Sequence, residues 1–160
     1  MNSPSRITLL LICVLAAQAQ AQDCANPLPL AFEGFGVGGD LCAAANSLPG
    51  YGVTPSPQNE IVYSFVDNGY PTQFAIQQGP EGTWGGQSVA MFLMPSPCSS
   101  STDPIGLGFP GTPMAVGGLT EGQTYYVIVT ADPGSPSATC GTYVMDPFRI
   151  PVELQTFTID

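Results

Sequence analysis

Twelve Asp and Glu residues, five cysteines and the run Ser99-Ser100-Ser101 are the groups in this chain with chemistry to offer. No histidine and no lysine accompanies them. A serine or cysteine nucleophile needs an adjacent base. With the usual bases missing, the serine run reads as a polar loop. Two carboxylates within roughly 10 Å could run glycoside hydrolysis. Here the acids are dispersed among Gly, Pro and Asn, in segments expected to be exposed turns. Such settings do not shift a carboxyl far enough to transfer protons near neutral pH. Zinc chemistry lacks nitrogen ligands and any C-x-x-C pair. Asp67, Asp103, Asp132 and Asp146 could supply oxygen to calcium with the help of carbonyls. No EF-hand or nonapeptide pattern surrounds them, so neither a resident metal nor a cofactor is expected.

Cys13 falls in the N-terminal leader described below. Cys24, Cys42, Cys98 and Cys140 remain, an even number that reads as two disulfides. Of the three connectivities, the expected one joins sequence neighbours, Cys24 to Cys42 and Cys98 to Cys140. Trp84, within Gly82-Thr83-Trp84-Gly85-Gly86, is the residue singled out for binding. Exposed, it could stack on a sugar face or anchor a protein contact. The simpler reading is that it caps a core.

These groups belong to a chain that reads as exported. Arg6 precedes an apolar run, Ile7 to Ala17, that has the length of a signal h-region and is too short to span a bilayer. Small-x-small sites follow at Ala17-Gln18-Ala19 and Ala19-Gln20-Ala21. Residues 1–21 are therefore expected to be a signal peptide, and 22–160 one domain that is secreted, periplasmic or on the cell surface. The full chain carries a formal net charge of −10, and loss of Arg6 leaves Arg149 as its one basic residue. A surface so poor in cations excludes nucleic acid and disfavours anionic lipid. No membrane insertion is expected after cleavage of the leader.

Charged residues make up 9% of the chain and apolar residues 44%, a folded rather than disordered composition. Nineteen Gly and seventeen Pro break any long helix. A single helical turn is conceivable around Cys42 to Leu48. Strand patterns are expected over 60–66, 72–77, 88–94, 123–130, 142–148 and 152–159, the last being a terminal strand or a sorting-like tail. Shorter ones are expected near 28–32 and 114–119. Alternation in 123–130 assigns Tyr125, Val127 and Val129 to the core and Tyr126 with Ile128 to the opposite face. Asp67-Asn68-Gly69 reads as a hairpin-type turn and Asp132-Pro133-Gly134 as a Pro-preset turn. Seven or eight strands without intervening helices imply an all-β, two-sheet antiparallel sandwich, jelly-roll or Greek-key-like.

Three segments carry a family resemblance. They are Asp23-Cys24-Ala25-Asn26-Pro27-Leu28, Ile61-Val62-Tyr63-Ser64-Phe65, and Gly118-Leu119-Thr120-Glu121-Gly122-Gln123-Thr124-Tyr125-Tyr126-Val127-Ile128-Val129, followed by Cys140-Gly141-Thr142-Tyr143. Together they resemble secreted bacterial domains of the pre-peptidase C-terminal type. The resemblance implies a β-sandwich and a structural rather than catalytic motif set. Loops of such domains sometimes hold calcium, and this chain is poorer in loop Asp. Pro151-Val152-Glu153-Leu154-Gln155-Thr156-Phe157 also resembles a segment near the end of exported bacterial proteins.

The expected function is a non-catalytic extracellular module for binding or structural display, touching a protein or glycan. One alternative is a small secreted hydrolase using paired carboxylates. Another is an accessory domain assisting an exported enzyme, acting in trans.

Overall fold

The computed structural model describes residues 23–32, 36–82, 84, 87–133 and 139–149. The expected leader with its expected cleavage site, and the expected 152–159 strand, lie outside these residues. Eleven strands form: β1 (Leu28–Pro29), β2 (Val37–Asp40), β3 (Gly50–Tyr51), β4 (Thr54–Pro55), β5 (Glu60–Val66), β6 (Thr72–Gly82), β7 (Val89–Pro95), β8 (Gly106–Gly108), β9 (Met114–Val116), β10 (Thr124–Ala131) and β11 (Gly141–Arg149). Among the described residues no helix forms, and none is long and apolar enough to cross a membrane. The 42–48 segment holds turns closed by Ala43 and Ala44 amides, donated to the Asp40 and Leu41 carbonyls, rather than a helical turn.

The protein is an all-β sandwich. A five-stranded sheet, β1-β5-β10-β7-β8, faces a four-stranded sheet, β2-β11-β6-β9. Alternation puts Tyr63, Phe65, Met91, Leu93, Val127 and Val129 on the inner face of the first sheet. They meet Phe74, Ile76, Tyr143 and Met145 of the second. Tyr125 joins this inner core, as its alternation with Val127 and Val129 requires. Each such side chain contributes about 1.5–3 kcal/mol on burial. The pair β1–β5 is parallel, a departure from the purely antiparallel expectation.

The outer face of the five-stranded sheet is also covered. Residues 42–58 form an arm, with the β3–β4 hairpin at its tip, that crosses this face. Leu48 and Tyr51 of the arm pack on Val62, Ala90, Phe92, Met94 and Ile128, and the Tyr51 ring stacks on Phe92 at 4.5 Å. This second layer explains why β7 is apolar on both faces and why Tyr126 and Ile128 sit among apolar neighbours opposite Tyr125. The corresponding face of the four-stranded sheet leaves Val144 and Phe148 exposed.

Two expectations are corrected by the topology. Asp67-Asn68-Gly69 does not close a hairpin, because β5 and β6 belong to different sheets and the turn carries the chain across the sandwich. Gly69 does take positive φ, +81°, as that turn requires. The disulfides are Cys24–Cys98 and Cys42–Cys140, not the pairs of sequence neighbours. β2 pairs with β11, with Asp40 opposite Thr142, and this sets Cys42 beside Cys140. Cys24 and Cys98 meet over the arm-covered face of the five-stranded sheet.

Candidate functional site

The acids expected to be solvated turn residues divide into three environments. Glu60 begins β5 and is 2% exposed. Its Oε1 accepts hydrogen bonds from the Ser47 amide (2.5 Å), the Ser47 hydroxyl (2.6 Å) and the Leu48 amide (2.6 Å). Glu60 thus ties the arm to the sheet beneath it. Burial pushes its carboxyl above the usual carboxylate range, the three bonds from Ser47 and Leu48 pull it back in part, and the charge of Asp23 adds to the rise. Its Oε2 is sealed and has no hydrogen-bond partner. Burial, followed by the nearby Glu60 charge, raises the Tyr51 phenol. Sequence reasoning missed Glu60. The one available signal was its place at the head of an apolar strand, where a surface charge is out of pattern.

The four calcium candidates do not come together. Asp103 packs against Gly52 at the arm tip. Asp132 follows β10, and its amide donates to the Ser88 carbonyl. Asp146 lies on β11 opposite Ala75. Among the described residues no three acids or cysteines gather to hold a metal.

Asp67 occupies the third environment, the loop end where β5 crosses to β6. Its amide donates to the Gln123 carbonyl and its carbonyl accepts the Gly122 amide, both at 2.9 Å, so the entry into β10 clamps it on both sides. The side chain is 3% exposed. Its Oδ2 accepts the Gly69 amide at 3.1 Å, and its Oδ1 has no partner. Asp67, Gly69, Tyr70 and Pro71 form one wall of a cleft of about 70 Å³, and Val116 to Leu119 form the other. Glu121 flanks the same turn, its Oε2 3.4 Å from where a Cβ on Gly69 would stand. A second, more open depression of about 210 Å³ lies between the β3–β4 hairpin and Ser100. Both are smaller than the roughly 300 Å³ at which pockets for whole small molecules begin.

Trp84 is 7% exposed and belongs to the inter-sheet core. The core-capping reading holds, and the ring is not available to stack on a glycan. Ser99 Oγ lies 3.1 Å from Ser101 Oγ and 2.8 Å from Thr102 Oγ1, and Thr102 donates to the Pro97 carbonyl. The serine run is a self-bonded loop.

Comparison with protein-family models, with curated proteins and with solved structures returns no match.

Proposed function

We propose that the protein is a non-catalytic extracellular module for binding or structural display, exported by its leader and related in design to the pre-peptidase C-terminal domains it resembles. The two disulfides fit an oxidising compartment. The observation that carries the reading is the setting of Glu60, a carboxyl raised in the direction a general acid needs yet sealed beneath the arm. A group in that position holds an arm in place and touches no substrate. Two crosslinks and a sheet buried on both faces make a rigid platform. One sheet face and the loop end around Asp67 are left for contact with a partner.

The test is a glycan array combined with capture of extracellular proteins on immobilised secreted protein. Saturable capture of a protein or glycan, unaltered in chemistry after release, is the expected result. A captured molecule that is cleaved would overturn the reading in favour of the paired-carboxylate hydrolase.

A further inference from the structure

The Asp67 cleft has a chemistry more specific than that of a generic contact surface. Its carboxylate is held from the backbone side, with Oδ2 satisfied by the Gly69 amide and Oδ1 satisfied by nothing. A buried carboxylate oxygen that neither water nor a donor reaches is disfavoured until a donor arrives. The protein has little of its own to offer. Arg149, the one basic residue among the described residues, donates its Nη2 to the carbonyl of Val66, the residue before Asp67, with its guanidinium 4.2 Å from the Phe32 ring centre and its Nε buried without a partner, yet Asp67 Oδ1 receives no hydrogen bond.

The rest of the cleft narrows the choice of donor. Tyr70, Pro71, Val116 and Leu119 give it apolar walls, and Glu121 adds a second negative charge beside Gly69. A divalent metal would want several oxygen ligands at once, and no third acid is near. About 70 Å³ suits a compact ammonium with its last methylenes better than a planar guanidinium. The chain as a whole carries a formal net charge of −10, which draws cationic partners in.

We propose that this cleft receives a lysine side chain of a partner protein. Its ε-ammonium donates to Asp67 Oδ1, and its stem lies along Tyr70, Pro71, Val116 and Leu119. Oδ1 is shielded from solvent in the empty cleft, so meeting the ammonium requires a rotation about the soft terminal torsion of Asp that turns it toward the opening. The backbone clamps to Gly122 and Gln123 hold the rest of the residue still. The proposal rests on the binding reading and names its partner chemistry.

The experiment follows backbone amide shifts of the isotope-labelled secreted protein during titration with Nα-acetyl-lysine N-methylamide. The norleucine analogue, the arginine analogue and calcium are titrated in parallel. Saturable shifts at Gly69, Gly117, Gly118 and Leu119 are expected with the lysine compound and not with norleucine, weakening as salt is added. Asp67→Asn should lower the affinity by about tenfold or more, and Glu121→Gln by less. An equal response to norleucine, a response to calcium alone, or no response would overturn the proposal. So would undiminished binding by a folded Asp67→Asn protein. The wild-type comparison of lysine with norleucine decides the matter even if that variant fails to fold. A blank here alongside capture in the broad screen removes the lysine cleft alone, whereas cleavage of captured molecules removes the binding reading itself.

Discussion

Tyr63 Oη and Tyr143 Oη lie 2.7 Å apart inside the sandwich, one carried by β5 and the other by β11, and their hydrogen bond links the two sheets through the core. The pair needs room that Gly39 provides, since a Cβ there would stand 2.6 Å from Tyr143 Cζ. Tyr143→Phe leaves the Tyr63 hydroxyl buried without its partner and should destabilise the protein by about 1–3 kcal/mol. Adding Tyr63→Phe should cost little more, because both polar groups are then gone. Urea denaturation of the two single variants and the double variant checks this, and strict additivity would contradict the pairing.

Burial raises both phenols above the ordinary value of 10.0. They stay neutral in the folded protein while the unfolded chain ionises, so stability is present below pH 10.0 and is lost as pH rises beyond it. Tyrosinate absorbance from this pair should therefore appear together with unfolding, not before it.

Glu60 sets the opposite end of the pH scale. Its carboxyl is raised from 4.5, with burial as the main cause. Between 4.5 and the folded-state value the folded protein holds a proton that the unfolded chain has released. Its contribution to stability is therefore full below 4.5 and declines as pH rises through that window. Denaturation midpoints of wild type and Glu60→Gln, measured from pH 4 to pH 8, should diverge in slope across the window. Parallel curves would show that the carboxyl is not perturbed. Glu60→Ala strands the Ser47 and Leu48 amides and should cost about 1–3 kcal/mol at any pH in this range.

Much of the sandwich was legible in the residues. β5 is the expected strand residue for residue, and Tyr125 and Tyr126 divide between faces because successive strand positions must. β2, β3, β4 and β8 were not legible: they are two to four residues long and rich in Gly and Pro, with too few alternating positions to show a period. The arm was hidden for a related reason. Its cover over Phe92 and Ile128 is a tertiary fact, visible in sequence only as the two-sided apolarity of β7. Glu60 escaped notice because burial of a carboxyl depends on donors twelve and thirteen residues upstream. Trp84 was legible in its simpler reading: it caps the inter-sheet core, and the alternative of an exposed binding ring does not hold.

The disulfides test the topology that local pattern could not give. Each closes a long stretch, with separations of 74 and 98 residues. By chain entropy each is worth about 4–5 kcal/mol. Non-reducing peptide mapping should recover Cys24 with Cys98 and Cys42 with Cys140. The double substitution Cys42→Ser with Cys140→Ser should lower the urea midpoint more than any single surface change. Recovery of a Cys24–Cys42 peptide would contradict the β2–β11 pairing as well as the disulfide.

Trp84 is a built-in reporter of the core. Its emission should be blue-shifted and poorly quenched by iodide, and no sugar should alter it. Trp84→Ala should cost about 3–5 kcal/mol through lost packing. Strong quenching in the folded state would return the indole to the surface.

The central claim, binding without catalysis, is met most directly by a turnover screen. Purified protein is assayed on peptide, ester and glycoside substrates, with and without calcium, beside Glu60→Gln and Asp67→Asn. No substrate should turn over faster than the blank. Turnover by wild type that disappears in either variant would contradict the account and make that carboxyl a catalytic group.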